Sequence, residues 1–69
     1  MKLSARNILK GRIVEVNKGA TTAHVKIDIG GGTIVTSSIT NTSVDELGLK
    51  VGGEAYAVVK ASNVMVAVN

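Results

Sequence analysis

The hydrophobic and polar positions along the chain predict short β-strands joined by glycine-rich turns. Alternation is cleanest over residues 22–29, where apolar and polar side chains follow one another with a period of two, typical of a strand with one buried face. The face predicted to be buried comprises Ala23, Val25, Ile27 and Ile29. The three glycines at residues 30–32 predict a tight hairpin connection to a third strand over residues 33–40.

The remaining β-like segments differ in how they place apolar side chains. In the first strand, predicted over residues 8–16, Val14 and Val16 are expected to share one face. The last two strands, predicted over residues 54–60 and 64–68, contain consecutive apolar residues in place of an alternation. A strand that is apolar on both faces must be covered on both faces. In a chain this short, we expect another subunit to supply the second cover.

A short helix is predicted at about residues 43 to 48. Ser43 and Glu46 have the spacing of a capping box, and Gly48 is a natural C-terminal stop. Five short strands with a helix between strands 3 and 4 follow the order of an OB fold. We therefore predict an all-β protein, an OB-fold-like five-stranded barrel with one short helix, in a single domain over residues 1–69. A small open β-meander is the alternative.

Composition excludes several kinds of site. The chain has no cysteine, so disulfides and thiolate metal sites are excluded, and its single histidine, His24, cannot form a zinc site unaided. Tyr56 is the only aromatic residue and the net charge of +3 is spread along the chain, which argues against a nucleic-acid partner. Because no apolar run reaches signal-peptide or membrane-spanning length, we expect a soluble, cytoplasmic protein.

Two segments combine the groups that a small oxyanion needs. Residues 4–7 supply a hydroxyl, a guanidinium and free backbone N–H groups. Residues 60–62 supply an ammonium and a hydroxyl, and a helical turn at residues 61–63 would point further N–H groups outward. Neither segment contains an acid. A site made only of donors favours dianions that carry no proton at neutral pH, such as molybdate, tungstate and sulfate, over phosphate.

The same residues also have an ordinary structural interpretation. Ser4 and Asn7 could cap a turn, Arg6 could be a solvated surface charge, and Lys60 and Ser62 could be hairpin residues. The glycine-rich hairpin lacks the lysine and hydroxyl residue of a phosphate-binding loop, so no such loop is expected there. Spacing alone leaves the binding and the structural interpretations of both segments open.

Longer motifs resemble those of the molbindins, also called Mop proteins or molybdenum-pterin-binding proteins. The motifs are SARN (4–7), LKG (9–11), IGGG (29–32), SVDELG (43–48) and AVVKASNVM (57–65). They extend over essentially the whole chain, and the pairing of the first with the last is specific. The resemblance implies a TOBE-type Mop domain that binds molybdate, with tungstate as a second candidate, for intracellular storage, buffering or homeostasis of molybdenum.

The resemblance further implies an assembly and a site. Members of this family form hexamers, best described as trimers of dimers, and bind the oxyanion at subunit interfaces, so we expect a homohexamer. The site maps onto Ser4, Ala5 and Arg6 of one subunit and Lys60, Ala61 and Ser62 of its neighbour. The expected donors are the hydroxyls of Ser4 and Ser62, the ammonium of Lys60 and the backbone N–H groups of Ala5, Arg6 and Ala61. Molybdenum would be bound only as the oxyanion, with no protein ligand to the metal.

Several other interpretations are open at this point. The pterin in the family name finds no support, because a pterin site usually needs a stacking aromatic residue. The family's second type of site, near a threefold axis, would fall around Ala20 and Thr22. The alternative functions are an OB-type nucleic-acid-binding module and a purely structural assembly module. An enzymatic activity is the least expected function, because no candidate nucleophile has a base beside it.

Overall fold

Four antiparallel strands and one short helix form the body of the protein. In this computed structural model, which describes residues 3–69, the chain order is β1 (Asn7–Lys18), β2 (Thr22–Gly30), β3 (Thr33–Thr40), α1 (Asn41–Leu47) and β4 (Glu54–Val59). A 3₁₀ turn, Ala61–Asn63, follows β4. The strands lie in the sheet in the order β3-β2-β1-β4, so β3 and β4 are its edges. The all-β class and the helix between the third and fourth strands are therefore as predicted.

The core lies on one face of β2 and is completed by single residues from the other elements. Ala23, Val25 and Ile27 are buried and Ile29 packs against them, which confirms the predicted face. The other buried core residues among residues 3–69 are Ile13 from β1, Val44 from α1 and Ala57 from β4. His24 lies on the exposed face of β2. The period of two in the sequence thus determined which side of β2 is covered.

A β-bulge in β1 overturns the prediction that Val14 and Val16 share a face. Ile13 pairs with Ile27 and Glu15 pairs with Lys26, so Val14 is an extra residue opposite β2. Ile13 is 1% exposed and Val14 is 41% exposed, while Val16 packs against the core. The extra residue shifts the alternation by one position, and a local apolar pattern contains no sign of that shift.

The glycine-rich hairpin forms where it was predicted. Gly30 pairs with Thr33, which leaves Gly31 and Gly32 as a two-residue loop. Their φ angles of +62° and +81° meet the requirement of a type I′ turn for two residues with positive φ. The backbone N–H of Gly30 also donates to the Asp28 carboxylate at 2.8 Å.

The helix begins earlier than predicted, because Thr40 and not Ser43 is its N-cap. The Thr40 hydroxyl accepts a hydrogen bond from the Ser43 backbone N–H at 3.0 Å. Contacts with the β1–β2 turn hold the first residue, since the Asn41 backbone N–H donates to the Thr21 carbonyl at 2.9 Å. Gly48 adopts the left-handed conformation after the last turn, as predicted.

The predicted fifth strand, residues 64–68, does not form within residues 3–69, and the five-stranded barrel is not closed. These residues, which we call the C-terminal segment, extend into solvent, with Met65 93% and Val66 89% exposed. A strand requires a hydrogen-bonded neighbour, and the C-terminal segment pairs with neither edge of its own sheet. Over residues 3–69, no helix has the length and apolarity needed to cross a membrane.

Candidate oxyanion-binding site

The two segments predicted to bind an oxyanion leave the sheet at the same end. Asn7 pairs with Val59 as the last pair of the β1–β4 ladder. Paired Cα atoms of antiparallel strands lie about 4.5–5.5 Å apart. Arg6 directly precedes this pair and Lys60 directly follows it. The ladder therefore brings together two groups of residues that lie near opposite ends of the chain.

The N-terminal segment, residues 4–6, offers its polar groups to solvent. Ser4 and Arg6 are exposed and Ala5 is partly buried. Within the described part of the chain, no hydrogen bond or ion pair engages any of the three. The hydroxyl of Ser4, the guanidinium of Arg6 and the backbone N–H groups of this segment are therefore available to a ligand.

The C-terminal turn, residues 60–62, contains the helical turn that would orient N–H groups outward. The Asn63 N–H donates to the Lys60 carbonyl at 2.9 Å, and the Val64 N–H donates to the Ala61 carbonyl at 3.2 Å. The N–H groups of Ala61 and Ser62 precede these bonds and have no partner among residues 3–69. Lys60, Ala61 and Ser62 are all exposed.

Arg6 and Lys60 place positive charge at this end of the sheet, and neither has an acidic partner among residues 3–69. The ion pairs formed among residues 3–69 are Lys10–Glu54 at 3.4 Å, Lys26–Glu15 at 3.8 Å and Lys18–Asp45. None of them includes Arg6 or Lys60. Two cations with neighbouring hydroxyl and N–H donors suit a small anion that accepts hydrogen bonds and donates none.

One side chain at this end was not included in the predicted site. The Asn7 side-chain amide donates to the Val59 carbonyl at 3.1 Å and so links β1 to β4 beside both segments. The SARN motif contained Asn7, but no sequence signal showed which carbonyl its side chain reaches. Ala20 and Thr22 lie at the opposite end of β1, after Lys18.

Two depressions elsewhere have different chemistry. An apolar groove of about 370 Å³ runs between the β3 and β4 edges, and its wall includes Val25, Ile27, Ile39, Leu49 and Tyr56. A depression of about 340 Å³ lies beside Lys10, Arg12 and Glu54. The Glu54 carboxylate, which is paired with Lys10, would repel a dianion in that second depression. Among residues 3–69, no cluster of His, Cys, Asp and Glu side chains could hold a metal ion.

Comparison with known proteins shows similarity in both sequence and structure. The family model of the TOBE domain matches residues 3–66. A protein of Haemophilus influenzae that is named a probable molybdenum-pterin-binding protein is 53% identical over 68 residues, or 99% of each chain.

Two solved structures share the fold over almost all of this chain. MopII from Clostridium pasteurianum has a TM-score of 0.90 at 49% identity, and the match covers 97% of this chain and 100% of MopII. The cytoplasmic molybdate-binding protein ModG, in a crystal form with molybdate bound, has a TM-score of 0.90 at 51% identity. That match covers 94% of this chain and 46% of ModG.

Proposed function

We propose, from the premise that this chain belongs to the TOBE-domain family of the molybdenum-pterin-binding proteins, that it binds molybdate. Membership of this family confirms the resemblance drawn from the sequence motifs. The observation that carries the proposal is that two donor segments, residues 4–6 and 60–62, leave one end of the sheet together, so that each subunit offers both segments to its neighbours there. Tungstate is the second candidate ligand, because it has the same shape and charge. Chemical conversion of the anion is not part of the proposed function.

The donor set accounts for the choice of a fully ionised tetrahedral anion. Ser4 and Ser62 supply hydroxyls, Lys60 supplies charge, and Ala5, Arg6 and Ala61 supply backbone N–H groups. All of these groups can donate to an oxyanion, whereas a protonated phosphate oxygen would also require an acceptor. No acid lies within either segment. Charge-assisted bonds from Lys60 are the strongest single contacts expected in this set.

In the proposed arrangement, the site lies between subunits of a homo-oligomer. Residues 4–6 of one copy face residues 60–62 of its neighbour. The exposed, apolar C-terminal segment supports this arrangement, because it begins two residues after Ser62 and needs a cover that the sheet formed by residues 7–59 does not provide. The apolar groove between the β3 and β4 edges offers such a cover in a second copy. The neighbour's residues 64–68 would there become the fifth strand of an OB-like barrel.

The expected assembly is a hexamer, a trimer of dimers, built from a single domain over residues 1–69. This number of copies derives from the family resemblance. The proposed role is storage and buffering of molybdate in the cytoplasm, and the similarity to a cytoplasmic molybdate-binding protein supports that location. A nucleic-acid partner is not expected, because the chain offers only one aromatic side chain for base stacking.

Isothermal titration calorimetry with molybdate, tungstate, sulfate and phosphate tests the proposal. We expect saturable binding of molybdate and tungstate and markedly weaker binding of phosphate, whose retained proton would face a donor. We expect sulfate to bind more weakly than molybdate, because it is smaller and would leave some donors out of reach. Equal and weak heats for all four anions would reject the proposed function.

A further inference from the structure

We propose that Asn7 is a positioning residue for the bound oxyanion. Its side chain fixes the N-terminal segment, residues 4–6, to the end of the sheet from which the C-terminal turn, residues 60–62, departs. This inference rests on the proposed function, because it assigns a further residue to the same site.

The geometry places Asn7 at the junction of both donor segments. Its backbone pairs with Val59, and its side-chain amide donates to the Val59 carbonyl at 3.1 Å. One residue thus links β1 to β4 by both its backbone and its side chain at the last pair of the ladder. Asn7 is partly buried, so water competes less effectively for this hydrogen bond than at a fully exposed strand end.

The segment before Asn7 has no other hydrogen-bonded anchor within the described part of the chain. Residues 4–6 make no hydrogen bond to any of residues 3–69. A strand end without side-chain support opens readily, and opening here would let residues 4–6 adopt many directions. Ordering them on binding would then cost conformational entropy and weaken the complex. The Asn7–Val59 hydrogen bond removes part of that cost in advance.

The role is indirect, because the hydrogen bond made by the Asn7 side chain runs to the Val59 carbonyl and acts by fixing the backbone on both sides of the site. The same bond also fixes the start of the C-terminal turn, since Lys60 follows Val59. In the proposed assembly, residues 4–6 of a subunit face residues 60–62 of a neighbour, and residues 60–62 of the same subunit face residues 4–6 of a neighbour. Asn7 therefore positions both donor segments that a subunit contributes to oxyanion sites.

The test compares molybdate affinity in the full chain and in three variants by isothermal titration calorimetry. Asn7→Ala removes the side-chain bond, and Asn7→Gln keeps an amide donor on a longer side chain. Asn17→Ala is the matched control, because Asn17 is an exposed asparagine on the same strand that pairs with His24 far from the site. Light scattering and thermal unfolding without ligand show whether each variant is assembled and folded at the temperature of the titration.

We expect Asn7→Ala to weaken molybdate binding by about five- to tenfold, the range of one lost hydrogen bond. Asn17→Ala should remain within about twofold of the native affinity. Asn7→Gln should bind more tightly than Asn7→Ala. If Asn7→Ala does not fold, Asn7→Ser replaces it, because a serine side chain is too short to reach the Val59 carbonyl.

The outcomes separate this inference from the proposed function. If the native chain does not bind molybdate, the proposed function fails. If the native chain binds and Asn7→Ala binds equally well, only the role of Asn7 is rejected. A lower unfolding temperature with unchanged affinity would show a purely structural role, and Asn7→Gln binding no better than Asn7→Ala would also overturn the inference.

Discussion

Arg6 and Lys60 lie at one end of the sheet although nearly the whole chain separates them. The pairing of Asn7 with Val59 makes them neighbours. Their chemistry differs, since an ammonium acts as a compact point charge and a guanidinium presents a planar set of donors. A tetrahedral anion can use the Lys60 charge from any direction, whereas Arg6 side-chain donation depends on its rotamer. Substitution of Lys60 is therefore a more informative test of the anion site than substitution of Arg6.

We expect Lys60→Ala to weaken molybdate binding by about 10- to 100-fold, because hydrogen bonds to charged groups are stronger than neutral ones. The matched control is Lys50→Ala, which removes the same charge from an exposed position between α1 and β4. Calorimetric titration of both variants measures the effect. Equal losses in the two variants would mean that net charge alone attracts the anion, and an unchanged affinity in Lys60→Ala would exclude Lys60 from the anion site.

Single residues differ in how far sequence predicts their role. The donor character of Ser4 and Lys60 follows from their chemical groups, and the exposure of both agrees with it. The need for glycine at position 11 does not follow in this way. A Cβ atom there would lie 2.5 Å from the Asp28 carbonyl oxygen and 2.6 Å from an Ile27 methyl carbon. Only the close approach of β1 and β2 creates that requirement.

Among the elements, α1 shows how tertiary contacts move a helix boundary. Ser43 and Glu46 have the spacing of a capping box, yet the chain turns into the helix at Thr40. The Asn41 amide donates to the Gly19 carbonyl at 2.9 Å, so the β1–β2 turn holds the first residue of the helix. The sequence window around a cap contains no information about that distant turn.

We expect Thr40→Ala to lower the free energy of unfolding by about 1 kcal/mol, the usual cost of losing a side-chain N-cap. Thr42→Ala is the control, because Thr42 is exposed and lies inside the helix after the cap. Denaturant unfolding of both variants at one fixed protein concentration measures the difference, since assembly makes stability concentration-dependent. If the two threonine variants were equally stable, the Thr40 cap would be without energetic importance.

At the scale of the whole molecule, the exposed C-terminal segment is the feature that a single copy leaves incomplete. Its consecutive apolar residues predicted a strand covered on both faces. Within residues 3–69 they pair with no strand, and they extend beyond the Ala61–Asn63 turn. The sheet meanwhile keeps two free edges, with an apolar groove between them. A second copy could satisfy both surfaces at once.

We expect Val66→Asp to reduce the assembly to smaller species, because burying a carboxylate in an apolar interface is strongly unfavourable. The control is Val51→Asp, which places the same charge at a 63% exposed valine between α1 and β4. Light scattering coupled to size-exclusion chromatography measures the mass of each variant. A native mass for Val66→Asp would exclude the C-terminal segment from the interface.

The sequence by itself determined the features that depend on neighbouring residues. These are the buried face of β2, the Gly31-Gly32 loop, the stop of α1 at Gly48 and the donor chemistry of the two segments. Each follows from a side-chain period of two, from the need for positive φ or from the groups that a residue carries.

The tertiary structure alone decided the features that depend on distant partners. They include the bulge at Val14, the helix cap at Thr40, the meeting of Arg6 with Lys60 and the unpaired state of residues 64–68. Strand register and cap choice are settled by hydrogen bonds and packing between residues far apart in the chain. A local pattern does not contain those partners, so it cannot specify which arrangement has the lower free energy.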